Sequence, residues 1–146
     1  MCSSDLLLGS VEHLAGVWEG RDPEGNAFRT TFAPSSAGSA VREVMFPGTP
    51  HEMTNMYHMD GASLVMTHYC AAGNQPRMRA AARAGDRIIF RSDGVSNLTE
   101  AAGHYMAEMT LIFEGPDAIR QEWRSIQGGQ PAGTAIFAMR RIAPRP

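Results

Sequence analysis

His51-Glu52-Met53-Thr54-Asn55-Met56-Tyr57-His58-Met59, then Asp60-Gly61, then Ala62-Ser63-Leu64-Val65-Met66-Thr67-His68-Tyr69-Cys70 is the stretch that decides the fold. Two β-like runs flank Asp-Gly, a pair suited to a primed hairpin turn that needs positive φ at both central residues. With Asp60 and Gly61 as those residues, Met59 faces Ala62 and the pairing runs outward from there. Tyr57 then opposes Leu64, Asn55 opposes Met66, Met53 opposes His68 and His51 opposes Cys70. Opposed residues share a face. One face carries His51, Met53, Asn55, Tyr57, Met59, Leu64, Met66, His68 and Cys70. The other carries Glu52, Thr54, Met56, His58, Ser63, Val65, Thr67 and Tyr69. The first is richer in Met and Leu and is expected to point inward; a one-residue slip would reverse the assignment.

The rest of the chain repeats the same rhythm on both sides of the hairpin. Upstream, Ser10 to Leu14 reads as one helical turn with a Ser cap. Val17 to Gly20, Ala27 to Ala33 and Ser39 to Phe46 read as strands, separated by turn clusters at Asp22 to Asn26 and Pro34 to Gly38. Downstream come strands over Pro76 to Arg83, Arg87 to Arg91, His104 to Phe113, Ala118 to Ile126 and Thr134 to Ile142. Ser92 to Gly103 reads as the longest irregular stretch, with a helical turn over Leu98 to Ala102. About ten short strands, spaced roughly 8–12 residues apart with almost no helix, argue an all-β fold. The expected architecture is a single antiparallel up-and-down β-barrel of about 8–10 strands. Closure removes exposed edges, and a barrel of this size has room for a small-molecule cavity.

Composition narrows the function classes. The 146 residues are expected to form one domain, 1–146, with 1–9 frayed. Hydrophobic residues make up 43% and charged residues 19%, as in a folded globular chain. The formal net charge is −2, every basic residue is an arginine, and no basic stripe with interleaved aromatics appears. Nucleic acid is therefore not an expected partner. The Leu6-Leu7-Leu8 run lacks a positive leader and a long apolar core, and no run approaches the ~20 apolar residues of a membrane span. With only Cys2 and Cys70, and Cys2 in the frayed end, no structural disulfide is expected and the cytoplasm is the expected location.

Leu14-Ala15-Gly16-Val17-Trp18-Glu19-Gly20 carries a resemblance. A helical turn followed by Gly-x-Trp on the first strand resembles the opening of the calycin superfamily, which includes lipocalins and fatty-acid-binding proteins. The variant here looks closest to bacterial lipocalin-like domains of unassigned function and, more distantly, to nitrobindin. The resemblance implies a barrel whose Trp18 packs at the closed end under an arginine of the last strand, Arg140 or Arg141. The glycine-rich continuation of nitrobindins after Gly20 is missing, and the last strands hold no His, which argues against haem.

The polar residues supply the candidate site. His68-Tyr69-Cys70-Ala71-Ala72-Gly73-Asn74-Gln75-Pro76-Arg77 packs several hydrogen-bonding and titratable side chains into one strand end, one loop and the next strand start, an expensive set to hold near a core without partners. Together with the inward face it nominates His51, Asn55, Tyr57, His68, Cys70, Asn74, Gln75 and Arg77 as ligand-binding residues. Asn74, Gln75 and Arg77 are placed to close over a carbonyl or carboxylate, or to cap their own turn. The favoured reading is a cavity for a small, mostly apolar organic ligand, ahead of a purely structural polar network. The alternative is an isomerase, cyclase or hydratase on the same barrel, with His68 shuttling a proton and Tyr57 or Asn55 polarising a carbonyl. A haem protein, or a metal site on His51, His68 and Cys70, ranks third. No cofactor and no metal are expected. The partner expected is a small molecule, with neither nucleic acid nor membrane, and a homodimer is left open. Ten methionines suit either an adaptable cavity or an ordinary core. Trp123 is expected in the core, with Glu122 and Arg124 as a surface ion pair of little energetic weight.

Overall fold

The computed structural model describes residues 3–100 and 103–144. Helix α1 (Ser3–Glu12) is followed by β1 (Gly16–Arg21), β2 (Ala27–Ser35), β3 (Ala40–Met45), β4 (Met53–Asp60), β5 (Ser63–Tyr69) and β6 (Gln75–Ala80). Then come β7 (Arg83–Ala84), β8 (Arg87–Ser96), β9 (His104–Gly115), β10 (Ala118–Gln127) and β11 (Gln130–Pro144). All but the two-residue β7 close into a ten-stranded antiparallel up-and-down barrel, with β6 meeting β8 and β11 returning to β1. Closure leaves no open sheet edge among these ten, which removes the row of unpaired backbone groups a flat sheet would expose.

The central hairpin forms, one residue out of the expected register. Asp60 opposes Ser63, Met59 opposes Leu64, Tyr57 opposes Met66 and Asn55 opposes His68. The turn is therefore Gly61-Ala62, with Gly61 at φ 60. Glycine supplies positive φ at the first central position, as a type II′ turn requires, and Ala62 keeps the negative φ natural to it. Because both strands shift together, each residue meets a partner two positions along and the two faces keep their membership. The Met-rich face points inward: Asn55, Tyr57, Leu64, Met66 and His68 are all buried.

Other boundaries move for identifiable reasons. The expected frayed segment over 1–9 is helical from Ser3, and Ser10 lies inside α1 instead of capping it. Leu7, Leu8, Val11 and Leu14 recur at helical spacing and are buried, so packing against the barrel holds the helix. Cys2, and with it the disulfide expectation, lies outside the described residues; Cys70 carries a free thiol. Strand β2 runs through Pro34 to Ser35 before a single 3-10 turn over Ser36–Gly38. Ser92 to Ser96, expected to be irregular, continues β8 and closes the barrel against Gln75, Pro76 and Met78. Gly94 at φ 104 marks the irregular register there. The expected helical turn at 98–102 lies partly outside the described residues; Leu98 to Glu100 is not helical.

The closed end of the barrel lies under α1. The Trp18 indole N–H donates to Leu14 O at 2.7 Å. The Arg141 guanidinium carbon stands 4.6 Å above the Trp18 ring centroid. The same guanidinium donates to Ala15 O, to His13 O at 2.8 Å and to Asp117 Oδ1 at 2.8 Å. Arg141 is thus the arginine over Trp18, while Arg140 opposes Glu19 in register and is exposed. Gly16, at φ 133, has no room for a Cβ, which would fall 2.5 Å from Ala143 O. No helix among the described residues is long and apolar enough to cross a membrane.

Candidate functional site

Halfway along the barrel the strands bring polar side chains to one level. Glu43 on β3 opposes Asn55 on β4, which opposes His68 on β5, forming a row across three strands. All three point inward and are at most 1% exposed. From the far wall, Gln121 and Trp123 of β10 reach across the lumen to meet this row. Gln121 Nε2 donates to Glu43 Oε2 at 2.8 Å, and the Trp123 ring lies 4.6 Å from His68, centroid to centroid. Thr30 Oγ1 donates to Glu43 Oε2 at 3.0 Å, Asn55 Nδ2 to Oε1 at 2.9 Å and the Tyr57 hydroxyl to Oε1 at 2.7 Å.

Elementary hydrogen-bond chemistry fixes the polarity of this network. An indole N–H only donates, so Trp123 Nε1, 2.9 Å from Gln121 Oε1, makes that oxygen the acceptor and turns the amide nitrogen toward Glu43. Asn55 presents Nδ2 to Glu43, which leaves its Oδ1 to accept from His68 Nδ1 at 2.6 Å. His68 therefore carries its proton on Nδ1, and Nε2 is a bare acceptor. That nitrogen is buried and has no hydrogen-bond partner. Burial pushes the imidazole pKa down to about 4, so the ring is neutral at neutral pH. Burial likewise raises the Glu43 carboxyl, against the opposing pull of four hydrogen bonds from Asn55, Gln121, Tyr57 and Thr30. The Tyr57 hydroxyl is held well above its usual range by burial and by the adjacent Glu43 carboxylate.

No family model matches the chain, and no curated protein matches it.

Of the eight residues nominated from sequence, Asn55, Tyr57 and His68 meet in this network. The others lie elsewhere. His51 is exposed on the loop before β4. Cys70 is half-buried, its backbone closing the loop through bonds with Asn74 and Gly73. Asn74 is buried at the rim, where Nδ2 donates to His104 O at 2.9 Å and Oδ1 has no partner. Gln75 binds Gly73 O and the Asn97 side chain, and Arg77 is exposed, 3.7 Å from Asp93. Gln75 and Arg77 thus serve their own turn and the β6–β8 seam and do not close over the lumen. His51, His68 and Cys70 do not assemble a cation site, and no group of three or more His, Cys, Asp or Glu able to hold a metal ion occurs among the described residues.

Glu43, Thr30, Gln121 and Trp123 were not nominated, although a signal for each was present. Glu43 is in phase with inward Val41 and Met45, Thr30 with Phe28 and Phe32, and Gln121 with Ile119 and Trp123. A polar residue in phase with apolar neighbours on a half-buried strand is a residue inside the core. Trp123 is in the core as expected. Glu122 and Arg124 face outward but pair with Arg120 and Glu108 instead of with each other.

The network divides the lumen into two unequal halves. Toward the closed end the interior is packed with Trp18, Phe32, Val41, Tyr57, Leu64, Met66, Ile88, Phe90, Leu111 and Ile119, all 2% exposed or less, with Met59 and Phe113 partly buried beside them. Toward the open end, Phe28, Phe46, Met53, Met106, Ala135 and Phe137 pack on that core but are only partly buried. Phe28, Phe46 and Phe137 meet edge to face at 5.3–5.9 Å between centroids. They border an open cleft of about 610 Å³ at the rim that also takes in Glu19, Asp22, Ala27, Arg29, Pro47, Thr49 and His51.

The network is well suited to accepting one hydrogen bond and poorly suited to moving protons. A ring nitrogen with a pKa near 4 is a weak base at neutral pH, since general bases work best near the operating pH. The Tyr57 hydroxyl and the Asn55 amide, the groups that would polarise a carbonyl, already donate to Glu43.

Proposed function

We propose that the protein binds a small, mostly apolar organic ligand in the open half of its barrel, above the polar layer of Glu43, Asn55, His68 and Gln121. The observation that carries this reading is the change in burial along the lumen. Below the polar layer most core apolar side chains are sealed and Met59 and Phe113 are partly exposed, whereas above it Phe28, Phe46, Met53, Met106, Ala135 and Phe137 form a partly exposed collar over buried Met45. Apolar lining with a few fixed polar groups at the bottom is the usual make-up of a small-molecule site. The Trp18–Arg141 pair under α1 supports a distant kinship with the calycins, whose Gly-x-Trp opening the chain resembles.

The enzyme reading has less support, because its proton shuttle is a weak base and its polarising groups are committed to Glu43. Native mass spectrometry of freshly purified protein, followed by denaturing extraction, tests binding directly. A co-purified organic mass released unchanged on denaturation is the expected result. A matched substitution, Phe137→Asp, places an uncompensated charge in the collar and should abolish that mass. Retention of the same adduct by the folded Phe137→Asp protein would refute the location.

A further inference from the structure

The polar layer specifies more than the presence of a ligand. Each donor group in it has a partner: Thr30, Tyr57, Asn55 and Gln121 donate to Glu43, Trp123 to Gln121, and His68 Nδ1 to Asn55. The carboxyl and amide oxygens of Glu43, Asn55 and Gln121 each accept, whereas His68 Nε2 does not. His68 Nε2 is sealed from solvent, lies in a residue 1% exposed, and carries a lone pair with nothing to accept from. A buried acceptor left empty is unfavourable, and a donor from a bound molecule would relieve it.

The charge around the lumen restricts that donor further. The thirteen arginines are the chain's entire basic complement apart from histidine, and every described one is exposed or half-exposed. Arg141 is the arginine that covers the closed end, and its guanidinium is spent on Asp117, His13 and Ala15. Arg29 lines the cleft at the rim but is paired with Glu19 at 3.0 Å, and no described arginine bonds to the polar layer, within which the Glu43 carboxyl lies. An anionic headgroup at this depth would be desolvated without a partner and would face Glu43.

We propose, resting on the binding reading above, that the ligand is an uncharged hydrogen-bond donor on an apolar skeleton, an alcohol or phenol whose O–H donates to His68 Nε2, and that carboxylates are rejected. The selectivity comes from a saturated carboxylate behind an unsaturated imidazole. It is the opposite of a fatty-acid site, where a basic side chain would greet the headgroup.

Two matched sets of probes test this on the intact protein. One set is 2-naphthol, 2-methoxynaphthalene and 2-naphthoate; the other is 1-decanol, its methyl ether and decanoate. Calorimetric titration at pH 7 is expected to rank alcohol or phenol about tenfold tighter than the ether, with the carboxylate weakest. In ¹⁵N-labelled protein the His68 Nε2 resonance is expected to move upfield on adding the hydroxyl probe and to stay in place with the ether. His68→Phe should bring the hydroxyl probe and ether to equal affinity. Tightest binding by a carboxylate, or an unchanged Nε2 resonance with the hydroxyl probe bound, overturns the proposal and leaves apolar binding standing. If no probe of either set binds, the binding reading falls together with it. The NMR readout on unaltered protein decides the matter even if His68→Phe does not fold.

Discussion

Acid should weaken the fold through His68, by an amount the structure sets. The imidazole titrates at about 4 in the folded protein against an ordinary 6.5, a displacement caused by burial. The displacement from 6.5 to about 4 is equivalent to roughly 3.5 kcal/mol. The folded ring is neutral, whereas the unfolded chain takes up a proton below pH 6.5, so the stabilisation is full above that value and drains away as the pH falls toward 4. About 2 kcal/mol of it should disappear between pH 7 and pH 5. Glu43 acts in the opposite direction: its folded pKa is raised, so its contribution is greatest below its ordinary 4.5 and shrinks as the pH rises through the folded value. The wild-type curve alone mixes the two. The informative quantity is the difference between wild type and His68→Phe in urea unfolding at pH 7, 6 and 5. Phenylalanine fills the same space against Trp123 without titrating, and the lost bond to Asn55 Oδ1 adds an offset that does not vary with pH. The difference is expected to narrow by about 2 kcal/mol over this range. A difference constant to within about 0.5 kcal/mol would show that burial does not hold the ring neutral, and would remove the reasoning behind the lone acceptor.

Two further substitutions probe the two ends of the design. Tyr57→Phe deletes a hydroxyl that donates to Glu43 Oε1 at 2.7 Å and should cost roughly 1–3 kcal/mol, the range for leaving a buried partner unsatisfied. Urea midpoints at pH 7 measure this, and a loss below about 0.5 kcal/mol would mean that the carboxylate does not depend on its donors. Arg141→Met keeps an aliphatic cover over Trp18 but loses the charge above the ring and the bonds to His13, Ala15 and Asp117. It should destabilise by roughly 2–3 kcal/mol and speed amide exchange in α1 before that in β4; equal acceleration in both would refute Arg141 as the latch of that end.

The fold was legible because closure of an antiparallel barrel is written locally, in turns and alternation. Gly61 sets the turn, and Leu64, Met66, Tyr57 and Met59 set which face goes in. The hairpin could slip by one residue without consequence because both strands moved together and parity survived. The site was legible only as far as one hairpin reaches. Asn55, Tyr57 and His68 lie on the single pair of strands whose register could be worked out. Glu43 and Gln121, 78 positions apart, meet because strand tilt and stagger bring β3 and β10 to one height across the lumen. No local pattern encodes that height. Gln75 and Arg77, nominated from a dense run of polar residues, instead bond within their own loop and across the β6–β8 seam, contacts that a polar run equally encodes.

A buried carboxylate is an odd choice for the middle of a barrel, since an apolar layer of similar volume would cost nothing in desolvation. Its arrangement explains what the group achieves. Two hydroxyls and two amide nitrogens donate to its two oxygens, which fills the roughly four acceptor positions a carboxylate offers. Saturated in this way, Glu43 has nothing left with which to bind a ligand. It orients the groups around it instead. Because Asn55 must turn its nitrogen to Glu43, its oxygen must face His68; because that oxygen accepts, His68 must hold its proton on Nδ1. The tautomer of the imidazole is thereby set two residues away from the charge that sets it, and His68 Nε2 is the one buried side-chain atom of the network without a partner. Replacing Glu43 with Gln would break this chain of necessity, since an amide both donates and accepts and Asn55 could then face either way. In ¹⁵N spectra, wild-type His68 should show a single Nδ1–H form, and Glu43→Gln a mixture of the two tautomers. A single unchanged tautomer in folded Glu43→Gln would mean that Asn55 is oriented by something other than the carboxylate.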